Sequence, residues 1–328
     1  MSSTKLIRNR IKAIQNTAKI TKAMEMVAAS KMKKAEDSTL KNRPYSEATY
    51  EVIFNLARQQ SISHPYLNIN PKASRYLLVV ISSDKGLCGS FNAAIARIAL
   101  EYIRQHEPID LITIGKKGQN YFKRLNQNIL ATYINFPVHP READIRPIIH
   151  SITEQFLSDQ YKEVAVVYTD FRSILRQVPN LITLLPLGAE TASMASEPSV
   201  LKANRAGEPQ GQGRAERLDP SRSLGGTRSV SLTDAGERAP ITIKFEPSPK
   251  EVINFVIPRI LEIKLYQMIL ESIASEQAAR MLAMKNATES ANELVDELNL
   301  TYNSVRQANI TQELAEISAG AHLKERIE

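Results

Sequence analysis

This 328-residue sequence has a single cysteine, Cys88, and no tryptophan. One thiol cannot form an internal disulfide, so the fold must hold without covalent staples, which suits a reducing compartment. Aromatics make up only 6% of residues, which fits helical arms better than a large β core. No run of about eighteen apolar residues occurs, so nothing reads as membrane-spanning. The N-terminal MSSTKLIRNRIK is basic but lacks the apolar core of a secretory signal. Glycine is scarce too: seven of the twelve lie between 188 and 240. From Pro247 to Ala319 there is none, and the prolines of that stretch (247, 249 and 258) cluster at its start.

What remains is long helical potential at both ends. In the C-terminal stretch Ile257, Leu261, Leu265 and Met268, then Leu294, Leu298 and Val305, recur at three- and four-residue steps. About seventy helical residues reach on the order of 100 Å. Such a helix must pack against something equally long or inside another protein. Residues 3–58 carry a matching heptad seam, Ile7, Ile11, Ile14, Ala18 and Thr21, continued by Met24, Ala28, Lys31 and Ala35. Pro44 interrupts it, which predicts a kink or break near Arg43. Residues 1–43 hold eleven Lys/Arg against three Asp/Glu, whereas residues 270–328 hold five against ten. The net charge of +7 therefore describes one arm. That arm reads as a solvated or partner-facing helix rather than a nucleic-acid binder.

Between the arms the period changes. Tyr76 to Ser82 is a short, doubly buried strand, followed by a turn, Asp84 to Gly89, and a helix from Phe91 to His106. Further strands are predicted at Ile109–Ile114, Ile129–Phe136 and Val164–Tyr168. Helices are predicted from Gly115 to Leu125 and from Asp144 to Ser158, with Asp144 as N-cap. This βαβα order implies an open sheet, and Ser173–Leu187 adds an edge strand. Residues 188–240, rich in Gly, Ser, Pro and Ala, read as a mostly disordered insertion. The expected architecture is α/β: a long antiparallel N- and C-terminal helical coiled coil with an inserted small open α/β, Rossmann-like domain. Its parts are a first long helix at 1–60, a domain at 74–187, the insertion at 188–240, a returning strand at 241–246, and a second long helix at 247–328 capped by Ser248 with Pro249 at its first position.

Catalytic signals are weak. The turn after the first strand has Gly86 and Gly89 as GxxG, not GxGxxG, and no Walker lysine, so a tight turn or a protein-contact loop explains it better than nucleotide binding. Cys88 has no assignable histidine and orienting acid beside it, and His64, His106, His139, His150 and His322 show no ligand spacing. No catalytic residue, cofactor or metal site is expected. A nucleotide-binding α/β protein with a coiled-coil arm is the alternative reading.

Four segments resemble one family in order. Ile14 to Met32 (IQNTAKITKAMEMVAASKM), Asp84 to Gly89 (DKGLCG), Glu271 to Met281 (ESIASEQAARM) and Arg306 to Ile317 (RQANITQELAEI) look like the signatures of the γ subunit of the F-type ATP synthase. The resemblance spans residues 1–187 and 241–323. It implies a non-catalytic central rotor: paired helices inside a ring of α and β subunits, and an α/β foot that meets the ε subunit and the membrane c-ring. It implies coupling of proton flow to the conformational cycle of β. By the same resemblance Met24, Lys85, Cys88, Glu276, Arg280, Arg306, Gln307 and Thr311 contact β subunits. Arg43, Pro44, Tyr45, Lys244 and Phe245 fall where the foot meets the c-ring. No nucleic acid is expected as a partner. The implied location is the cytoplasmic side of a bacterial inner membrane, peripheral to it. The thylakoid type carries a cysteine pair near the 188–240 insertion, which here has no cysteine. The charged tail His322–Glu328 departs from the small apolar tail usual in the family.

Overall fold

The computed structural model describes residues 2–58, 65–67, 73–158, 160–187 and 249–325, with side chains for 4–45, 65–67, 73–158, 160–187 and 255–317. The expected strand at 241–246, the Ser248 cap, the 188–240 insertion, and Lys244 and Phe245 lie outside the described residues. The elements in chain order are α1 (Ser2–Arg58), β1 (Arg75–Ile81), α2 (Phe91–Gln105), β2 (Ile109–Ile114), α3 (Lys116–Arg124), β3 (Ile129–Tyr133), α4 (Glu142–Leu157), β4 (Tyr161–Phe171), β5 (Gln177–Leu185) and α5 (Pro249–Glu325).

Helices α1 and α5 run antiparallel. Thr21 and Thr288 share a 2.7 Å hydroxyl contact, and Asn42 Nδ2 donates to Gln267 Oε1 at 2.9 Å. Each step down α1 is matched by a step up α5, so this register brings Ser2 opposite residue 307. With 57 residues in α1 and 77 in α5, the C-terminal helix runs on alone beyond that point. The α1 seam buries Ile11, Ala18, Ala28, Met32, Ala35 and Thr39. Past Ala28 the seam passes to Met32, while Lys31 is half-buried beside it, a correction to the expected heptad. Small residues at this seam let the helices approach closely, so side chains interlock along their length. Of the kink or break expected near Arg43, the break is absent: α1 continues through Pro44. Proline removes one helical hydrogen bond, a cost of about 3 kcal/mol. Packing along α5, with Asn42 tied across to Gln267 just before it, offsets that loss.

The sheet has the order β3-β2-β1-β4-β5. The first four strands are parallel and β5 is antiparallel to β4 at the edge. Leu77 to Ile81 of the central β1 are buried, as a strand covered on both faces requires. One face packs against α4 and α5, the other against α2 and α3. Helix α4 starts at Glu142 rather than Asp144. Asp144 still serves its N-terminus, because its carboxylate accepts the Arg141 N–H at 2.7 Å from the first turn.

At the end of the sheet away from the shaft, Asp110 is 1% exposed and fully satisfied. It accepts from Arg75 Nε and Nη2 at 2.9 and 2.7 Å, from Asn128 Nδ2 at 2.7 Å and from the Tyr161 hydroxyl at 2.7 Å. Burial alone would raise its pKa, but these donors overcome it and hold the carboxyl below the usual range. A lowered carboxyl pKa adds stability that is present above the unfolded value and lost as pH falls through the folded one. Asp110→Asn removes two acceptor sites and turns an amide donor toward donors. We expect a loss of roughly 3 kcal/mol in urea unfolding at neutral pH, and a variant less sensitive than the parent to acid below about pH 4.

Candidate functional site

An open sheet of this order reverses direction between β1 and β4, and a ligand crevice normally forms beyond the carboxyl ends of the strands at that point. Here helix α5 fills the position. The Thr169 N–H, near the end of β4, donates to Ser272 Oγ at 3.0 Å, and Ser275 Oγ donates to the Thr169 carbonyl at 3.3 Å. Ser272 and Ser275 stand three residues apart, on one helix face, so the helix completes the strand's hydrogen bonding with its own hydroxyls. Phe171, Met32, Ala35, Ala274 and Ala278 close the junction between β4, α1 and α5.

The turn after β1 is held from both sides. Asp84 accepts the backbone N–H of Lys116 at 3.0 Å and of Phe136 at 3.0 Å. The Ser82 hydroxyl accepts from the Gly118 N–H at 2.9 Å, and the Ser83 carbonyl from the Lys117 N–H at 3.0 Å. The first-turn amides of α3, where a phosphate would sit, are thus taken by this chain's own groups. A Cβ on Gly115 would lie 2.2 Å from the Ser82 carbonyl oxygen, so glycine is needed there for close packing rather than for a ligand. A cavity of about 310 Å³ remains between this turn and α5, lined by Asp84, Lys85, Ser272, Glu276 and Arg280, but the α3 amides that would cradle a phosphate are already used.

Arg280 pins the same turn to the shaft. Its guanidinium donates to the Lys85 carbonyl at 3.1 Å and to the Gly86 carbonyl at 3.3 Å, and it pairs with Glu276 at 2.7 Å one helical turn away. Burial pushes the Glu276 carboxyl up, and Arg280 opposes that shift. Farther along α5, Gln267 Nε2 donates to Glu271 Oε1 at 2.6 Å. Burial raises the Glu271 pKa to about 7, against the Gln267 hydrogen bond and Arg43, with Asp170 adding to the rise.

The expected site residues fall into three groups. Lys85, Cys88, Glu276 and Arg280 come together at the turn. Lys85 is exposed, but Cys88 is 2% exposed and Arg280 9%. The Cys88 thiol accepts from Asn92 Nδ2 at 3.2 Å, and burial raises its pKa, which opposes a nucleophilic role. Both side chains therefore act inside this chain, shaping a loop that presents Lys85 and Leu87. Met24 is half-buried about one turn further along the shaft, opposite residue 285 in the register above. Arg306, Gln307 and Thr311 are exposed where α1 gives out, roughly 40 Å along the helix from Arg280. Arg43 and Tyr45 are exposed on α1 in the opposite direction, toward the start of α5. The sequence reading missed Asp84, Thr169, Gln267, Glu271, Ser272 and Ser275. A signal for the last two was present: two hydroxyls three residues apart, interleaved with the apolar Ile269, Leu270, Ile273 and Ala274. Among the described residues no group of His, Cys, Asp and Glu could hold a metal, and no helix is long and apolar enough to cross a membrane.

The family model described as ATP synthase matches residues 3–322. The chain is 36% identical over 333 residues to the ATP synthase gamma chain of Herpetosiphon aurantiacus, covering 98% of both chains. It is 37% identical over 325 residues to that of Dehalococcoides mccartyi, covering 98% of this chain and 99% of the relative. Among solved structures, the fold is similar to a chain of the Euglena gracilis mitochondrial ATP synthase (OSCP/F1/c-ring), with TM-score 0.61 and 16% identity over 96% of this chain and 92% of that one. It is also similar to a chain of the Tetrahymena thermophila mitochondrial ATP synthase central stalk and c-ring, with TM-score 0.53 and 23% identity over 82% and 99%.

Two outcomes test the junction. Arg280→Ala leaves Glu276 buried without its cation, and we expect a loss of roughly 3 kcal/mol, with Arg280→Ala/Glu276→Gln recovering part of it. Amide exchange in residues 82–90 should quicken in the single variant; an unchanged rate would show that Arg280 does not hold the turn. The raised Glu271 pKa implies stability that is full below about pH 4.5 and lost as pH rises through about 7. Glu271→Gln should flatten that slope in unfolding measured from pH 4.5 to 8, by on the order of 3 kcal/mol.

Proposed function

The chain belongs to the ATP synthase gamma-chain family, and on that premise we propose how its surfaces are used. It is the central rotor subunit of an F-type ATP synthase, a part of the enzyme complex that is not itself catalytic. One observation carries the mechanical reading: a continuous 77-residue helix is clamped to both a second helix and a sheet over its first half, and runs on past the end of α1. A rod of about 115 Å, rigidly rooted and asymmetric in section, can transmit torque.

In this reading the paired helices stand inside the ring of α and β subunits, and the exposed Arg306, Gln307 and Thr311 meet β where α1 has ended. Lys85 and the turn held by Arg280 contact β at the base of the ring, with Met24 nearby. The chain divides into shaft helices at 1–60 and 247–328 and a foot at 74–187. The foot stands on the c-ring through the region of Arg43, Tyr45, Lys244 and Phe245, and the ε subunit joins it. The complex holds the chain peripherally at the membrane, on the cytoplasmic face of a bacterial inner membrane, which its bacterial relatives support. Rotation of the foot turns α5 because the Ser272, Ser275 and Arg280 ties join it to the sheet, so the free end sweeps past successive β subunits.

Mixing this chain with its α and β subunits should yield an ATP-hydrolysing complex that contains it. Assemblies of α and β alone would refute the rotor reading. Arg306→Ala with Gln307→Ala removes two polar contacts worth about 1 kcal/mol each. Proton pumping per ATP hydrolysed in membrane vesicles should then fall severalfold; unchanged pumping and hydrolysis would remove these two residues from the contact surface.

A further inference from the structure

We propose that the face of the α/β domain turned away from the shaft is a docking groove for a partner helix bearing carboxylates on both sides of an apolar stripe. The inference goes beyond the rotor reading and does not require it. Helices α2 and α3 cover this face of the sheet but do not close over it. Between them lies a groove of about 760 Å³, floored by Val80, Ala96, Leu100 and Phe122. Its rims are basic: Arg97 and Arg104 on α2, Lys117 and Arg124 on α3.

On each helix the two cations are seven residues apart, or two turns and about 10 Å. All four are exposed, and among the described residues none forms an ion pair. The acid in the lining is Glu101, so the groove is net positive. Like charges facing one another across an apolar floor gain nothing from this chain, and a complementary partner would relieve them.

The shape favours a helix over a small anion. Ala93 and Ala96 are small enough to leave room for a backbone to approach along α2. From Ala93 to Arg104 it runs about 16 Å, three turns of a docked helix. The two-turn spacing on both rims matches carboxylates repeated every seven residues on that helix, the pattern of helix-in-groove recognition. A phosphate would need convergent amides, and the α3 amides are already used by Asp84, Ser83 and Ser82.

The test uses the full chain and a labelled helical peptide of about five turns, with leucine at heptad positions a and d and glutamate at e and g, followed by fluorescence anisotropy. A counterpart with lysine in place of glutamate is the control. The glutamate peptide should bind, and binding should weaken about tenfold or more when salt rises from about 50 to about 300 mM. Arg97→Glu with Arg124→Glu should weaken it at least about tenfold, and Leu100→Asp similarly, each with the helical signal and melting of the parent chain. Lys5→Glu with Arg8→Glu, on the basic arm, should leave affinity unchanged. Equal binding of the lysine peptide, an effect under twofold for Arg97→Glu/Arg124→Glu, loss of binding on changing Lys5 and Arg8 instead, or displacement by inorganic phosphate at matched ionic strength would each overturn the proposal.

Discussion

Helix α5 must be satisfied on two sides at once. Between Ile257 and Met284 it lies against α1 on one side and the sheet on another, and nearly every position there is buried or half-buried. A helix in that setting cannot keep a polar face in water, so each polar residue it carries needs a partner inside the protein. Ser272 and Ser275 find one in the Thr169 backbone, Gln267 in Asn42 and Glu271, and Arg280 in Glu276 and two loop carbonyls. Unpaired, each group would cost about 1–3 kcal/mol.

These directional ties convert packing into a joint. Apolar contact alone would let α5 slide or rotate against the sheet, because dispersion and burial have little angular preference. A hydrogen bond weakens steeply when its angle is lost. The serine pair on β4 fixes the rotation of α5, and Thr21 with Thr288 fixes its register on α1. Arg280 adds the turn that presents Lys85. The strands' carboxyl ends, where a similar sheet would hold a nucleotide, serve here as the socket of the shaft.

The periodic parts were the legible ones. Heptad spacing from Ile7 to Ala28, the buried strand expected at 76–82 (found at Arg75–Ile81) and the helical run after Pro249 depend on side-chain pattern within one element, and each is present. Readings that depended on a neighbour were less secure. Pro44 reads locally as a break, yet the helix passes through it beside α5. Asp144 reads as a cap by residue type, but where the helix begins makes it the residue that reaches back to Arg141. Lys31 fits the seam by count, while Met32 occupies it, because burying methionine is cheap and burying an ammonium is not.

By itself the sequence determined the two helices, their unequal lengths, the α/β domain between them and the family they belong to, since periodicity and ordered motifs are properties of the chain. Only the tertiary structure decided what Cys88, Glu276 and Arg280 do, because their roles depend on what is packed against them: the thiol is buried under Asn92, and the cation is spent on a carboxylate and a turn of this same chain. It also decided the pairing of Thr169 with Ser272 and Ser275, which stand about a hundred positions apart in the chain and meet only because α5 lies across the end of β4.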